Sequence, residues 1–210
     1  MIFYIKIKII RRNSLKGIEL KMKEWLKKSK YILIIFIIST IISIPLFRKD
    51  LDVYFDDGIQ HITRAYATYI SIQNGENPEV LTSLANEFGY SWDLFYGSFS
   101  TILIIIGKLI TSTFIGGYKF TLFIGMLLSG ITMYMFANKL TKSKPTGVLI
   151  AILYILMPYH LNDMYIRNAL GEFLSYIFIP LVFLGLYNLF KKEKGDISLC
   201  IGAVRINNHT

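Results

Sequence analysis

The chain is poor in cysteine and in charge, and both shortages restrict what it can be. It has one cysteine, Cys200, in 210 residues, which excludes a disulfide framework and any metal site built from several thiolates. Charged residues make up 18% of the chain, against about a quarter in globular proteins, and they avoid the long apolar runs. Hydrophobic residues make up 53% and the mean hydropathy is +0.48. These values predict an integral membrane protein and argue against a water-soluble fold.

The basic residues are concentrated before the first apolar run. Of the 23 Lys and Arg residues, 10 lie in residues 1–30, where positive charge usually sets the orientation of a membrane protein. The net charge of +9 therefore does not indicate nucleic acid, and the expected partner is the lipid bilayer. Met22 opens a stretch typical of a start before a membrane anchor, so residues 1–21 are open to question as part of the protein.

The apolar runs predict a polytopic, all-α protein of the cell membrane. Residues 31–47 lack charge and are just long enough to cross ~30 Å of hydrocarbon. No small-x-small motif follows them, which favours a retained anchor over a cleaved signal peptide. The further predicted spans are 118–138, 147–160 and 173–190, with cytoplasmic segments at 1–30, 139–146 and 191–210 and external segments at 48–117 and 161–172. An apolar run at 197–204 breaks off after eight residues, which predicts a truncated next span.

One apolar run, at about 97–113, is predicted to lie along the membrane surface. If it crossed, the basic 139–146 loop would fall on the side opposite the basic N-terminus, against the positive-inside tendency. Serines and threonines also bracket its short apolar centre, as in interfacial segments. The alternative is a true span in which Lys108 extends its amine toward the interface.

A second juxtamembrane helix is predicted at about 57–74. At about 100° per residue, Asp57, His61, Arg64 and Thr68 share one face, and apolar residues occupy the other. We expect the apolar face to rest on the membrane and the polar face to line an aqueous cleft. There a carboxylate and an imidazole could move protons at a sugar hydroxyl, and a guanidinium could hold a phosphate. The alternative is an ordinary helix cap with a polar face.

Polar residues also crowd the external segment 161–172. Asp163 and Arg167 are i,i+4 neighbours if helical, and Glu172 follows. Such a pair is often purely structural, yet polar groups at a membrane boundary are costly unless solvated or used. The aromatic stretch 88–97 is expected to anchor the chain at the headgroup level, and the alternative is that its rings stack on a sugar. An Asp56, Asp57 and His61 metal site would be an incomplete oxygen-rich shell, so we predict no metal and no cofactor.

Several short motifs, in this order, resemble one family. They are Asp57-x3-His61-x2-Arg64, Asn74-Gly75-x2-Pro78, Phe88-Gly89-Tyr90, Leu94-Phe95-Tyr96, Met157-Pro158-Tyr159, Asp163-x3-Arg167 and Gly171-Glu172-Phe173. The set is similar to the N-terminal part of large bacterial multi-span proteins labelled "6-pyruvoyl-tetrahydropterin synthase-related", to YfhO-type proteins and, more broadly, to GT-C glycosyltransferases. The clustered histidines of a zinc-dependent pterin enzyme are absent from the sequence.

The resemblance implies sugar transfer from a polyprenyl-phosphate-linked donor on the outer leaflet to a cell-envelope glycan. It makes Asp57 the acid of the first external segment that acts as general base or orients the acceptor, with His61 beside it as a second catalytic candidate. Arg64, Asp163 and Arg167 become candidates for binding the donor phosphate or ordering the cleft, and Glu172 for supporting them. Because the chain resembles only the N-terminal part of that family, we expect it to be an inactive fragment. The alternative is a non-catalytic protein, either a component of lipid or polysaccharide transport or a scaffold.

Overall fold

A computed structural model describes residues 30–47, 57–80, 88–91 and 96–191. The regular structure in these ranges is entirely helical. Several predicted features lie outside the described residues: the basic segment before Lys30, Asp56 of the metal site considered above, Cys200 and the expected truncated span.

Eight helices follow one another in the described ranges. They are α1 (Lys30–Phe47, ending in a 3-10 turn), α2 (Gly58–Gln73), α3 (Phe99–Thr111), α4 (Phe114–Thr141), α5 (Lys144–Ile155), α6 (Pro158–Tyr165), α7 (Leu170–Ser175) and α8 (Ile179–Phe190).

Three helical stretches are long and apolar enough to cross a membrane. They are α1 with 18 residues, α4 with 28, and α7 with α8 as one stretch of 21. The pair α5 and α6 makes a fourth if its 48° bend lies within one span. Helix α3 has 13 residues and is about 20 Å long, short of the ~30 Å of hydrocarbon. The described part of the chain is thus all-helical, and its apolar helices indicate a membrane protein.

Proline divides the expected span 147–160 into two helices. Helix α5 ends at Ile155, and Pro158 is the first residue of α6. A proline ring disfavours helical backbone in the residue before it but suits the first helical position. As a result α6 continues to Tyr165, past residue 160, where the predicted span ends and the predicted external segment 161–172 begins.

Two glycines let α3 pack directly on α4. Ser112 adopts a left-handed conformation at φ 69°, and the Thr113 hydroxyl caps α4 by accepting the Gly116 N–H at 3.0 Å, which closes the turn. A Cβ on Gly117 would lie 2.4 Å from the Ile104 carbonyl oxygen, and one on Gly107 would lie 2.7 Å from the Gly117 oxygen. Small residues at such a crossing allow helix backbones to touch.

The helices pack around one main buried core that draws on most of them. Its fully buried members include Ile104 on α3, Tyr118, Leu122 and Met126 on α4, Ile155 on α5, Met164 on α6 and Phe173 on α7. Phe99 of α3 stacks edge to face on Phe178, with ring centroids 5.8 Å apart. The core therefore ties α3 and α4 to the segment that follows α6.

The two ends of the helix bundle carry different sets of charged residues. At one end, Tyr31 of α1 stacks on Tyr134 of α4 at 6.3 Å between ring centroids, and this end carries Lys30 and the lysines of the α4–α5 turn. At the other end α2 begins beside the segment between α6 and α7. That second end holds the candidate site.

Candidate functional site

The two polar segments meet through a backbone hydrogen bond. The N–H of Asp57, directly before α2, donates to the carbonyl oxygen of Arg167 at 3.3 Å. The Tyr118 hydroxyl of α4 donates to the Asn168 side-chain oxygen at 2.8 Å, which holds the same segment against the core. Residues that are 110 positions apart in the chain (167 minus 57) thus share one edge of the molecule. The Asp57 side chain is exposed there.

Arg167 is the centre of a polar cluster with Asp163, Glu172 and Tyr159. Its Nη1 donates to Asp163 Oδ1 at 2.9 Å and to Glu172 Oε2 at 2.7 Å, and its Nη2 donates to Glu172 Oε1 at 3.1 Å. The Tyr159 hydroxyl bonds to both Arg167 and Glu172. The paired contact with Glu172 is the strong geometry for guanidinium and carboxylate, and this hydrogen bond raises the pKa of Arg167. The guanidinium therefore carries its charge at every relevant pH.

The cluster has a buried side and an open side. The Asp163 side chain is fully buried, whereas Arg167 keeps 36% and Glu172 keeps 50% of its side-chain surface exposed. Asp163 Oδ2 has no hydrogen-bond partner among the described residues. Asp163 thus anchors Arg167 from within, and the Arg167–Glu172 contact faces outward, where another anion could reach it.

The predicted orientation of the polar face of α2 is wrong. We expected this face to line an aqueous cleft, but His61 is only 3% exposed and Arg64 only 1%. Thr68 is buried with them, and the exposed side of α2 carries Ile59 and Tyr66. Of these buried residues, Arg64 finds hydrogen-bond partners on α3, whereas part of the apolar face is left toward the surroundings.

Arg64 joins α2 to α3 instead of facing the open edge. Its Nε donates to the Thr101 hydroxyl and its Nη2 to the Ser100 hydroxyl, both at 2.9 Å. The guanidinium carbon also lies 4.6 Å from the centre of the Tyr96 ring, within the range of a cation–π contact. In this conformation Arg64 holds two helices and an aromatic ring together, and it is not placed to bind a donor phosphate.

His61 is buried next to these groups as a neutral side chain. Burial, with the charge of Arg64 as a smaller cause, lowers the pKa of His61 to about 3. Its ring lies 5.7 Å from that of Tyr96, and neither ring nitrogen has a hydrogen-bond partner in the described part of the chain. An imidazole that is buried and so weakly basic does not act as the predicted acid–base group in this conformation.

The site also includes two tyrosines that were not among the residues predicted from the sequence. Tyr159 completes the Arg167 cluster, and Tyr96 lies between α2 and α7. Both stand in motifs of the family resemblance, but Tyr96 was interpreted as part of a membrane anchor. Tyr159 stands four residues before Asp163 in α6, so helical spacing could have found it, whereas Tyr96 lies outside the helices and periodicity could not have connected it to the site.

The site residues do not form a metal centre in this structure. Within 30–47, 57–80, 88–91 and 96–191, no three His, Cys, Asp or Glu side chains are grouped so that they could hold a metal ion. Asp163 and Glu172 both contact the same guanidinium, which disfavours a cation between them. The described donor set therefore suits an anion better than a metal.

Comparison with known proteins identifies a relative of unknown function. The chain is 26% identical over 170 residues to an uncharacterized protein of Lactococcus lactis subsp. cremoris (strain MG1363), an alignment that covers 78% of this chain and 27% of the relative. The chain thus spans about a quarter of the length of that relative. No family model matches the chain, and no solved structure matches it.

Proposed function

We propose that this segment belongs to a GT-C-like membrane glycosyltransferase that takes sugar from a polyprenyl-phosphate-linked donor and delivers it to a cell-envelope glycan. The observation that supports the proposal is the bond from the Asp57 N–H to the Arg167 carbonyl oxygen. It brings an exposed carboxylate and a partly exposed, permanently charged guanidinium to one edge of an apolar helical protein. These are the two charges that such a transfer requires.

The proposed reaction uses the two groups in different ways. The Asp57 carboxylate accepts the proton of the acceptor hydroxyl while that oxygen forms a bond to the anomeric carbon of the sugar. The bond between the anomeric carbon and the donor phosphate oxygen breaks, and the phosphate leaves with the electron pair. Arg167 stabilises the negative charge that grows on the leaving phosphate.

Arg167 needs to be held in place and still be available to a ligand. Its bond to the buried Asp163 fixes the side chain, while the exposed Glu172 occupies the outward edge of the guanidinium. We infer that the donor phosphate replaces Glu172 at that edge, because phosphate and carboxylate match the same guanidinium geometry. When no donor is bound, the carboxylate of Glu172 would balance the positive charge of Arg167.

The structure changes the proposed roles of two residues. Arg64 and His61 are buried, so we propose that they order α2 and do not touch substrate. Asp57 remains the proposed general base, and Asp163, Arg167 and Glu172 remain the proposed phosphate-binding group. The complete activity is proposed for longer proteins that contain such a segment, and these 210 residues are expected to bind the lipid phosphate.

The phosphate site can be tested with the chain as it is. Native mass spectrometry of the purified protein in detergent would compare undecaprenyl phosphate with undecaprenol, which lacks only the phosphate. We expect a clear preference for the phosphate, and we expect Arg167→Gln to remove most of it, roughly 10-fold or more for a charge-assisted paired contact. Lys144→Gln, which removes a cation at the opposite end of the bundle, should keep the preference. Equal binding of the two lipids by the unaltered protein would refute the phosphate site.

The catalytic role of Asp57 needs a full-length protein that contains this segment. In membranes supplied with a labelled polyprenyl-phosphate-linked sugar, Asp57→Asn should abolish transfer to envelope glycan while membrane insertion is retained. Glu79→Gln removes another exposed acid and should transfer normally. Undiminished transfer by Asp57→Asn would eliminate Asp57 as the base. Phosphate binding without any transfer in the unaltered protein would favour a transport component.

A further inference from the structure

The first turn of α7 lacks the usual cap at its N-terminus. Helix α7 runs from Leu170 to Ser175, and its N-cap residue is Ala169, which has no side-chain hydrogen-bonding group. The first backbone N–H groups of a helix have no partner within the helix and are normally satisfied by a capping side chain. The N–H of Gly171, the second helical residue, therefore needs a partner from elsewhere in the protein.

Tyr96 supplies that partner from a different part of the chain. Its hydroxyl lies directly against the backbone of Gly171, which points to the Gly171 N–H as the group that donates a hydrogen bond to it. The fit is close, because a Cβ on Gly171 would lie 2.4 Å from the Tyr96 hydroxyl oxygen and 3.1 Å from the adjoining ring carbon. Gly171 is thus the residue type that lets a tyrosine approach this helix end.

The other side of the Tyr96 ring is held by α2. The guanidinium carbon of Arg64 lies 4.6 Å from the ring centre, and the His61 ring lies 5.7 Å away. Arg64 is itself fixed by the Ser100 and Thr101 hydroxyls of α3. The tyrosine therefore joins a rigid pair of helices to the residue that precedes Glu172.

We infer that Tyr96 is a positioning residue that caps α7 and thereby sets Glu172 and Arg167 in register with the start of α2. The proposed function gives this role its purpose, since the donor phosphate would bind at Arg167 and the base would be Asp57. Glu172 follows Gly171 directly in the chain, so a displacement of the α7 end moves its carboxylate. Arg167, which is paired to that carboxylate by two hydrogen bonds, would move with it.

The first test measures the cap without any ligand. Hydrogen exchange of the protein in lipid nanodiscs, followed by mass spectrometry, reports on the peptide that covers residues 168–175. Tyr96→Phe keeps the ring against Arg64 but removes the hydroxyl, so we expect exchange in this peptide to accelerate roughly 3- to 10-fold, as for one lost hydrogen bond. Tyr90→Phe, a tyrosine that is 50% exposed, is the matched control and should change nothing. Unaltered exchange in Tyr96→Phe would overturn the inference.

A second variant approaches the same contact from the other side. Gly171→Ala keeps the Tyr96 hydroxyl but places a methyl group where that hydroxyl lies. We expect it to accelerate exchange in the same peptide as Tyr96→Phe does, and the double variant should be no faster than the quicker single one, because both remove one contact. Additive effects of the two changes would show that the residues act separately and would contradict the cap.

The third test separates positioning from a general loss of structure. For undecaprenyl phosphate binding, Tyr96→Phe should weaken affinity severalfold in the unaltered background and have no further effect once Arg167→Gln is present, because it acts through Arg167. An equal loss in both backgrounds would mean a merely structural role and would overturn the positioning role. If the unaltered protein shows no preference for the phosphate, the proposed function fails, and the exchange experiment still decides whether Tyr96 caps α7.

Discussion

Lowering the pH from 7 to about 5 should destabilise the protein through the buried imidazole of His61. The pKa of His61 falls from 6.5 to about 3 on folding, because burial penalises the charged form and Arg64 repels it. The Tyr96 ring beside it offers no negative charge that would favour protonation. The folded protein therefore keeps His61 neutral under conditions in which the unfolded chain takes up a proton.

The sign and size of the effect follow from the two pKa values. Because the folded pKa is the lower one, the stabilisation is fully present above pH 6.5 and is lost as the pH falls toward 3. At about pH 5, proton binding to His61 stabilises the unfolded chain by RT ln(1 + 10^1.5), which is about 2 kcal/mol. It stabilises the folded protein by almost nothing. A loss of this size is a large part of the stability of an ordinary domain.

The measurement compares the unaltered protein with His61→Leu at both pH values. Reversible unfolding in mixed micelles, followed by the near-ultraviolet circular dichroism of the buried tyrosines, gives the free energy of unfolding. We expect the unaltered protein to lose about 2 kcal/mol more than His61→Leu between pH 7 and about pH 5. His160 is present in both proteins, so its own titration cancels. The same pH dependence in both would refute the burial argument.

Two further predictions concern the fold around the site. Gly117→Ala should destabilise the protein by about 1–3 kcal/mol in the same unfolding measurement, despite a gain of up to about 1 kcal/mol in helix propensity, because the new methyl group meets the backbone of α3 at 2.4 and 2.6 Å. A more stable variant would contradict the contact between α3 and α4. Cysteines introduced at Asn74 and Ser143, after the single native cysteine is changed to serine, should react with a membrane-impermeant thiol reagent from opposite sides of the membrane. Reaction from the same side would show that the two polar segments do not share an extracytoplasmic edge.

Local signals in the sequence account for the helices themselves. Apolar runs place α1, α4 and the stretch from α7 to α8 close to the predicted ranges, because a helix that satisfies its own backbone needs only length and apolar side chains to suit a bilayer. The carboxylate of Asp57 and the following periodicity indicated a helix at about 57–74, and α2 is found at Gly58–Gln73. Pro158 also offers a local steric reason for the division between α5 and α6, but the predicted span 147–160 ran through it.

The orientation of α2 could not be read in the same way. An amphipathic pattern shows that a helix has two faces, but it does not state whether the polar face meets water or polar groups of the protein. The partners of Arg64 lie 36 and 37 residues further along the chain, at Ser100 and Thr101. Their hydroxyls were attributed to the ends of an interfacial helix, an interpretation that leaves out the contact with Arg64.

The sequence alone determined that this is an apolar, helical, membrane-type chain whose predicted site residues, three acids, an imidazole and two guanidinium groups, lie outside its predicted spans. Only the tertiary structure decided which of those groups remain available, because availability depends on what packs against each side chain. It buried His61 and Arg64 between helices, left Asp57 exposed, kept Arg167 partly exposed in its pair with Glu172, and placed Tyr96 against the start of α7. Burial and contact between distant residues are properties of the packed chain, and no local pattern records them.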